Sequence, residues 1–150
     1  MIHNESKMNN LKITAEGSLL LAFTSLAYLY ATPFAPSQLY ELMIRMNTLF
    51  NFIFHLSNSS QFSHINVFYH ASTASWYLLD AYYSWNTPMF YHIAFLNIFM
   101  TSIPWTLPWL EQKRIIPYAV SHSVWHLMSA AKAIYVAASL NSLQYMKEVV

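Results

Sequence analysis

The sequence predicts an all-α fold: a polytopic transmembrane helix bundle of about four helices, built as one domain. Three observations predict it. The chain is 56% hydrophobic and only 9% charged over 150 residues, whereas an ordinary soluble domain is about 25% charged. Its apolar stretches reach the ~20 residues that a spanning helix needs. Proline and Ser/Asn clusters, which mark turns, fall between those stretches.

Residues 1–16, MIHNESKMNNLKITAE, form a polar tail of mixed charge. They do not read as a signal peptide, because no apolar core closely follows a basic start. Residues 17–40 carry no formal charge, and GSLLLAFTSLAYLYAT predicts a first helix over 17–33. Pro33 and Pro36 then mark a turn. A second helix is expected over 38–56, with Glu41 and Arg45 paired at i, i+4 near its start. LSNSSQFSH reads as a loop, and HINVFYHAS as an interfacial segment or the lead-in to the next helix. The third helix is expected over 76–101, kinked at Pro88. SIPWTLPWLEQKR reads as a loop whose tryptophans and Lys113–Arg114 suit a membrane interface. The last helix is expected over 115–140, with Pro117 in its first turn. Its small residues Ser129, Ala130, Ala131, Ala133, Ala137 and Ala138 permit close helix packing.

Composition also limits the chemistry. A net charge of +1 without a dense basic run gives no footprint for nucleic acid. The chain has no cysteine, so disulfides and thiolate metal sites are excluded. A metal site must draw on His, Asp, Glu, hydroxyl or backbone oxygens.

Ionisable residues inside apolar segments are the functional candidates. Asp80 is the sole aspartate and lies within WYLLDAYYSW, with Ser84 one helical turn later on the same face. It reads either as a satisfied polar residue or as the partner of a histidine or a metal-bound water. His122 and His126, in SHSVWHLMSA, share a face at i, i+4, a spacing that lets two imidazoles hold one ion. His55 ends the second segment, His70 sits in VFYHAS, and Lys132 either snorkels or lines a polar cavity. Three histidines with water in a fourth position would suit zinc.

These residues, in this order, resemble the CREST superfamily, which includes alkaline ceramidases, progestin and adipoQ receptors, the transmembrane protein 8 family and myomaker. The likeness is strongest to the transmembrane protein 8 and myomaker branch. It rests on HSVWH at His122 to His126, on Asp80 followed by Ser84, and on NFIFHLSN around His55. The resemblance implies a shortened relative of a seven-helix bundle with zinc held by His55, His122 and His126. Asp80 would then handle the water proton, and Ser84 or Asn51 would support the oxyanion. Asn51 stands where the family's serine would be, and NVFYHAS offers His70 as an alternative third ligand.

The function this implies is zinc-dependent hydrolysis of a lipid amide or ester at an integral, multi-pass membrane site. The alternative is a non-catalytic membrane protein: a myomaker-like remodelling or fusion factor, or a small subunit of a membrane assembly. The expected partners are membrane lipids and, through the Ala-rich last helix, a second copy of the chain or another membrane protein. Four spans raise one conflict. The last helix would start on the side opposite His55 and Asp80, which sets His122 and His126 toward the wrong end.

Overall fold

The apolar runs fold as helices throughout, with no strand among the described residues. A computed structural model describes residues 15–57, 63–112 and 118–149. Most of the N-terminal tail, the centre of the Ser/Asn-rich loop, Lys113–Arg114 and Pro117 lie outside them.

Helix α1 begins as an α-helix at Ala15–Ser25 and continues as a 3-10 helix through Leu26–Phe34. Helix α2, Gln38–Leu56, follows the Pro33/Pro36 turn. Its N-cap is Ser37, which accepts a hydrogen bond from the Tyr40 amide at 3.2 Å and so satisfies one of the unpaired first-turn donors. The expected Glu41–Arg45 pair is present at 2.6 Å on the exposed face.

The expected third helix is corrected into two. Helix α3 runs Ser63–Ser84 and helix α4 runs Phe90–Gln112. Pro88 therefore lies in a turn and does not kink a continuous helix. The break has a local cause: Asn86 takes the left-handed conformation at φ 61°, which Asn tolerates better than most residues. HINVFYHAS is the first part of α3. SIPWTLPWLEQ, expected as a loop, continues α4. Helix α5, Tyr118–Val149, is the longest at 32 residues and extends well past the expected end at 140.

Consecutive helices α2 to α5 are antiparallel. Phe54 stacks on Tyr69 at one end of the α2–α3 pair, and Tyr40 bonds Asp80 near the other. In the α4–α5 pair the Trp125 indole donates to the Met100 carbonyl at 3.0 Å, and His92 packs on Tyr135. Two helices between α2 and α5, not one, bring the start of α5 back beside the end of α2. That removes the conflict of sides.

The apolar core joins Tyr28, Ala31, Tyr40, Ile44, Trp76 and Ile93 to the small residues of α5. Ala130, Ala133 and Ala137 are buried there, and α5 packs most extensively on the 3-10 segment of α1. Around this core the usual distribution is inverted. Asn47, Asn51, His55, Asp80, Ser84, His126 and Lys132 are buried, while Leu78, Ile98, Phe95 and Phe23 stand more than 60% exposed. By length and apolarity a single helix among the described residues, Gly17–Phe34 with mean hydropathy 1.2, is fit to cross a membrane. Four were expected. One such helix does not by itself define a membrane protein, because a buried core helix meets the same criterion.

Candidate metal centre

Two helix ends build the site. His55 sits in the last turn of α2, and His122 and His126 lie one turn apart near the start of α5. Their ligand atoms all lie within 4.8 Å of one another. Ring centroids are 4.9 Å apart for His55–His126 and His122–His126, and 5.2 Å for His55–His122. His55 and His126 are buried and His122 is half-buried.

The Nε2 atoms of all three histidines are buried without a hydrogen-bond partner. Leaving one buried polar atom unpaired costs about 1–3 kcal/mol. Three such rings, each with a nitrogen within 4.8 Å of the others, together make a donor set for one cation. Three neutral imidazole nitrogens, with no thiolate and no carboxylate in the cluster, fit a borderline-soft divalent ion. The cluster can therefore hold a metal ion.

His70 takes no part in it. It is exposed and lines a neighbouring cleft, so the tertiary structure selects His55. The remaining candidates lie deeper. Asp80 is fully buried and accepts hydrogen bonds from the Tyr40 hydroxyl and from Lys132 Nζ, the latter at 2.5 Å. Lys132 lies six residues past His126, about 9 Å further along α5. Both carboxylate oxygens of Asp80 thus have partners other than the triad. Ser84 Oγ donates to the Asp80 main-chain carbonyl at 2.7 Å, which places it with Asp80 and away from the histidines.

Asn51 lies one turn before His55. Its Nδ2 donates to the Asn47 carbonyl at 2.9 Å, while its Oδ1 is buried and unpaired. As oriented it presents an acceptor, which does not support an oxyanion. Asn47, Asn51, Ser129 and Lys132 line a small cavity of about 20 Å³, room for one water. Lys132 therefore lines an interior cavity of mixed polar and aromatic walls and does not snorkel.

A larger cleft of about 470 Å³ opens beside the triad, between α3, α4 and α5. Phe54, Tyr69, Tyr77 and Trp125 give it apolar walls, and His122 forms part of its lining. The cleft exists because α3 and α5 barely touch.

Two polar contacts escaped the sequence reading. Tyr40, which bonds Asp80, is one tyrosine among eleven and carries no local signal. Thr24, whose Oγ1 lies 3.1 Å from His126 Nδ1, is a lone threonine in an apolar run. No protein family, curated protein or solved structure matches the chain.

Proposed function

We propose that the chain is a multi-pass membrane protein whose histidine triad holds zinc, and that it cleaves lipid amides or esters as the CREST resemblance implies. The observation that carries this reading is the convergence of three histidine rings, each with a buried, unpartnered Nε2, beside an apolar cleft.

The inverted surface supports the membrane part. Soluble monomers rarely expose large contiguous apolar patches, and Leu78, Ile98, Phe95 and Phe23 are among many large apolar side chains turned outward. The inward faces of α2, α3 and α5 hold buried Asn, Ser, His, Asp and Lys, which makes those helices less apolar than α1. A bilayer-embedded bundle uses polar residues in that way, facing its interior.

Bound zinc supplies Lewis acidity toward a carbonyl and toward water. The chain's own residues hold the ion and seat the lipid. His55, His122 and His126 hold the ion. Phe54, Tyr69, Tyr77 and Trp125 accept an acyl chain and keep bulk water from the cleft. His122, in both the triad and the cleft wall, sets a polar group of the lipid next to the ion.

A second reading, a non-catalytic zinc-holding membrane protein, is favoured by the pairing of Asp80 with Lys132 and by Asn51 at the serine position. One experiment separates the two. Zinc is measured in detergent-purified wild type and in His126→Ala, and the wild type is assayed on a ceramide and on a phospholipid. About one zinc per chain, lost in the variant and accompanied by turnover, supports the hydrolase. Zinc without turnover supports the second reading. Folded wild type without zinc overturns both.

A further inference from the structure

The first helix does more than cover the bundle. Thr24 lies on α1, about 100 residues in sequence from the α5 histidines. Its Oγ1 sits 3.0 Å from the Leu21 carbonyl and 3.1 Å from His126 Nδ1. A hydroxyl has one proton to give. The Leu21 carbonyl offers only acceptor lone pairs, so the Thr24 proton points to it. Thr24 then accepts, and His126 Nδ1–H faces two acceptors, the Thr24 hydroxyl and the Leu21 carbonyl. In a neutral imidazole with Nδ1 protonated, Nε2 carries the lone pair. His126 Nε2 is buried without a hydrogen-bond partner, in a ring that offers a nitrogen within 4.8 Å of one from each of the other two histidines.

We infer that Thr24 is a positioning residue for the metal centre: by accepting from His126 Nδ1–H it selects the tautomer and ring orientation that aim the Nε2 lone pair at the shared ion. The inference rests on the metal reading above. Its physical warrant is general. Metal-binding histidines donate their second ring N–H to a fixed acceptor, and loss of that acceptor weakens metal binding about 10–100-fold. It also assigns a role to α1. The residues that cap the triad from outside belong to the one helix among the described residues that is apolar enough to span by itself. Tyr28, one turn further along α1, packs edge-on against the His126 ring at 6.1 Å and limits its rotation.

The test compares wild type, Thr24→Val and Thr24→Ser as full-length chains in detergent, by competition titration of zinc against a chelating indicator. Valine keeps the shape and removes the hydroxyl; serine keeps the hydroxyl. The expected result is a zinc affinity about 10–100-fold weaker in Thr24→Val, with serine staying close to wild type. A merely packing role for Thr24 would spare the valine variant and penalise the serine. Equal affinity in wild type and Thr24→Val overturns the inference and leaves the metal reading standing. No zinc bound by folded wild type overturns both. If Thr24→Val does not fold, 15N imidazole shifts of zinc-loaded wild type decide. Coordination of His126 through Nε2 with Nδ1 protonated supports the inference, and coordination through Nδ1 overturns it.

Discussion

Lys132 on α5 and Asp80 on α3 form an ion pair 2.5 Å apart in the interior, with side chains 7% and 0% exposed. Tyr40 on α2 bonds the second carboxylate oxygen. Three helices are thereby joined through one carboxylate. Breaking a buried pair by removing one partner costs about 3–5 kcal/mol, whereas replacing both by apolar groups is often neutral. Asp80→Asn and Lys132→Met alone are each expected to destabilise the protein by that amount in detergent unfolding. The double variant Asp80→Leu/Lys132→Met should recover most of the loss. Asp80→Asn should keep its zinc, since the carboxylate bonds Lys132 and Tyr40 and not a triad histidine. Loss of zinc in a folded Asp80→Asn would contradict that placement.

The triad makes a sharper prediction about ligands. His55→Ala, His122→Ala and His126→Ala should each abolish stoichiometric zinc, because three nitrogens are the whole donor set among the described residues. His70→Ala should keep full zinc content, since its ring is exposed in the cleft wall. Elemental analysis of the four purified variants checks this. Retention of zinc by His55→Ala would show that the third ligand comes from elsewhere.

Close packing of α5 on α1 depends on alanines that leave no room for larger side chains. Ala137 is 0% exposed, whereas Ala131 faces outward. Ala137→Leu should cost about 1–3 kcal/mol through overpacking. Ala131→Leu should be neutral within the error of a thermal unfolding measurement. Equal effects at the two positions would mean that the α1–α5 seam is not formed as described.

Alternating helices also predict sidedness. The turn at 85–89 lies at one end of the bundle and Ser57, after α2, at the other. The chain has no cysteine, so single cysteines report cleanly. In sealed vesicles, Asn86→Cys and Ser57→Cys should react with a membrane-impermeant thiol reagent from opposite sides. Labelling of both from the same side, in intact vesicles, would remove the multi-pass reading.

Much of the fold was legible in the residues. The bounds 38–56 for α2 matched to the residue, because Pro36, the Ser37 cap and the end of the apolar run mark both ends locally. Between 63 and 112 the sequence predicts one kinked helix over 76–101, an interfacial segment or helix lead-in before it and a loop after it, whereas the structure has two helices. The prolines at 88, 104 and 108 look alike in sequence, yet the helix breaks at the first and continues through the other two. Pro88 follows Asn86 in a left-handed turn, whereas a proline inside a helix is tolerated where neighbouring helices and side chains satisfy the freed backbone groups.

The sequence by itself determined what depends on local periodicity. An apolar period makes helices, and a four-residue spacing puts His122 and His126 on one face, whatever surrounds them. Only the tertiary structure decided which residues meet across helices. That choice depends on the number of helices and the starting point of each. Moving the start of α3 from 76 to 63 places Asp80 near the far end of that helix, against Tyr40 and Lys132. Adding one helix between α2 and α5 returns His122 and His126 to the end that holds His55. Contacts within a helix follow from a fixed rise and turn per residue. Contacts between helices follow from the sum of every segment length between them, and a single misread turn reverses them.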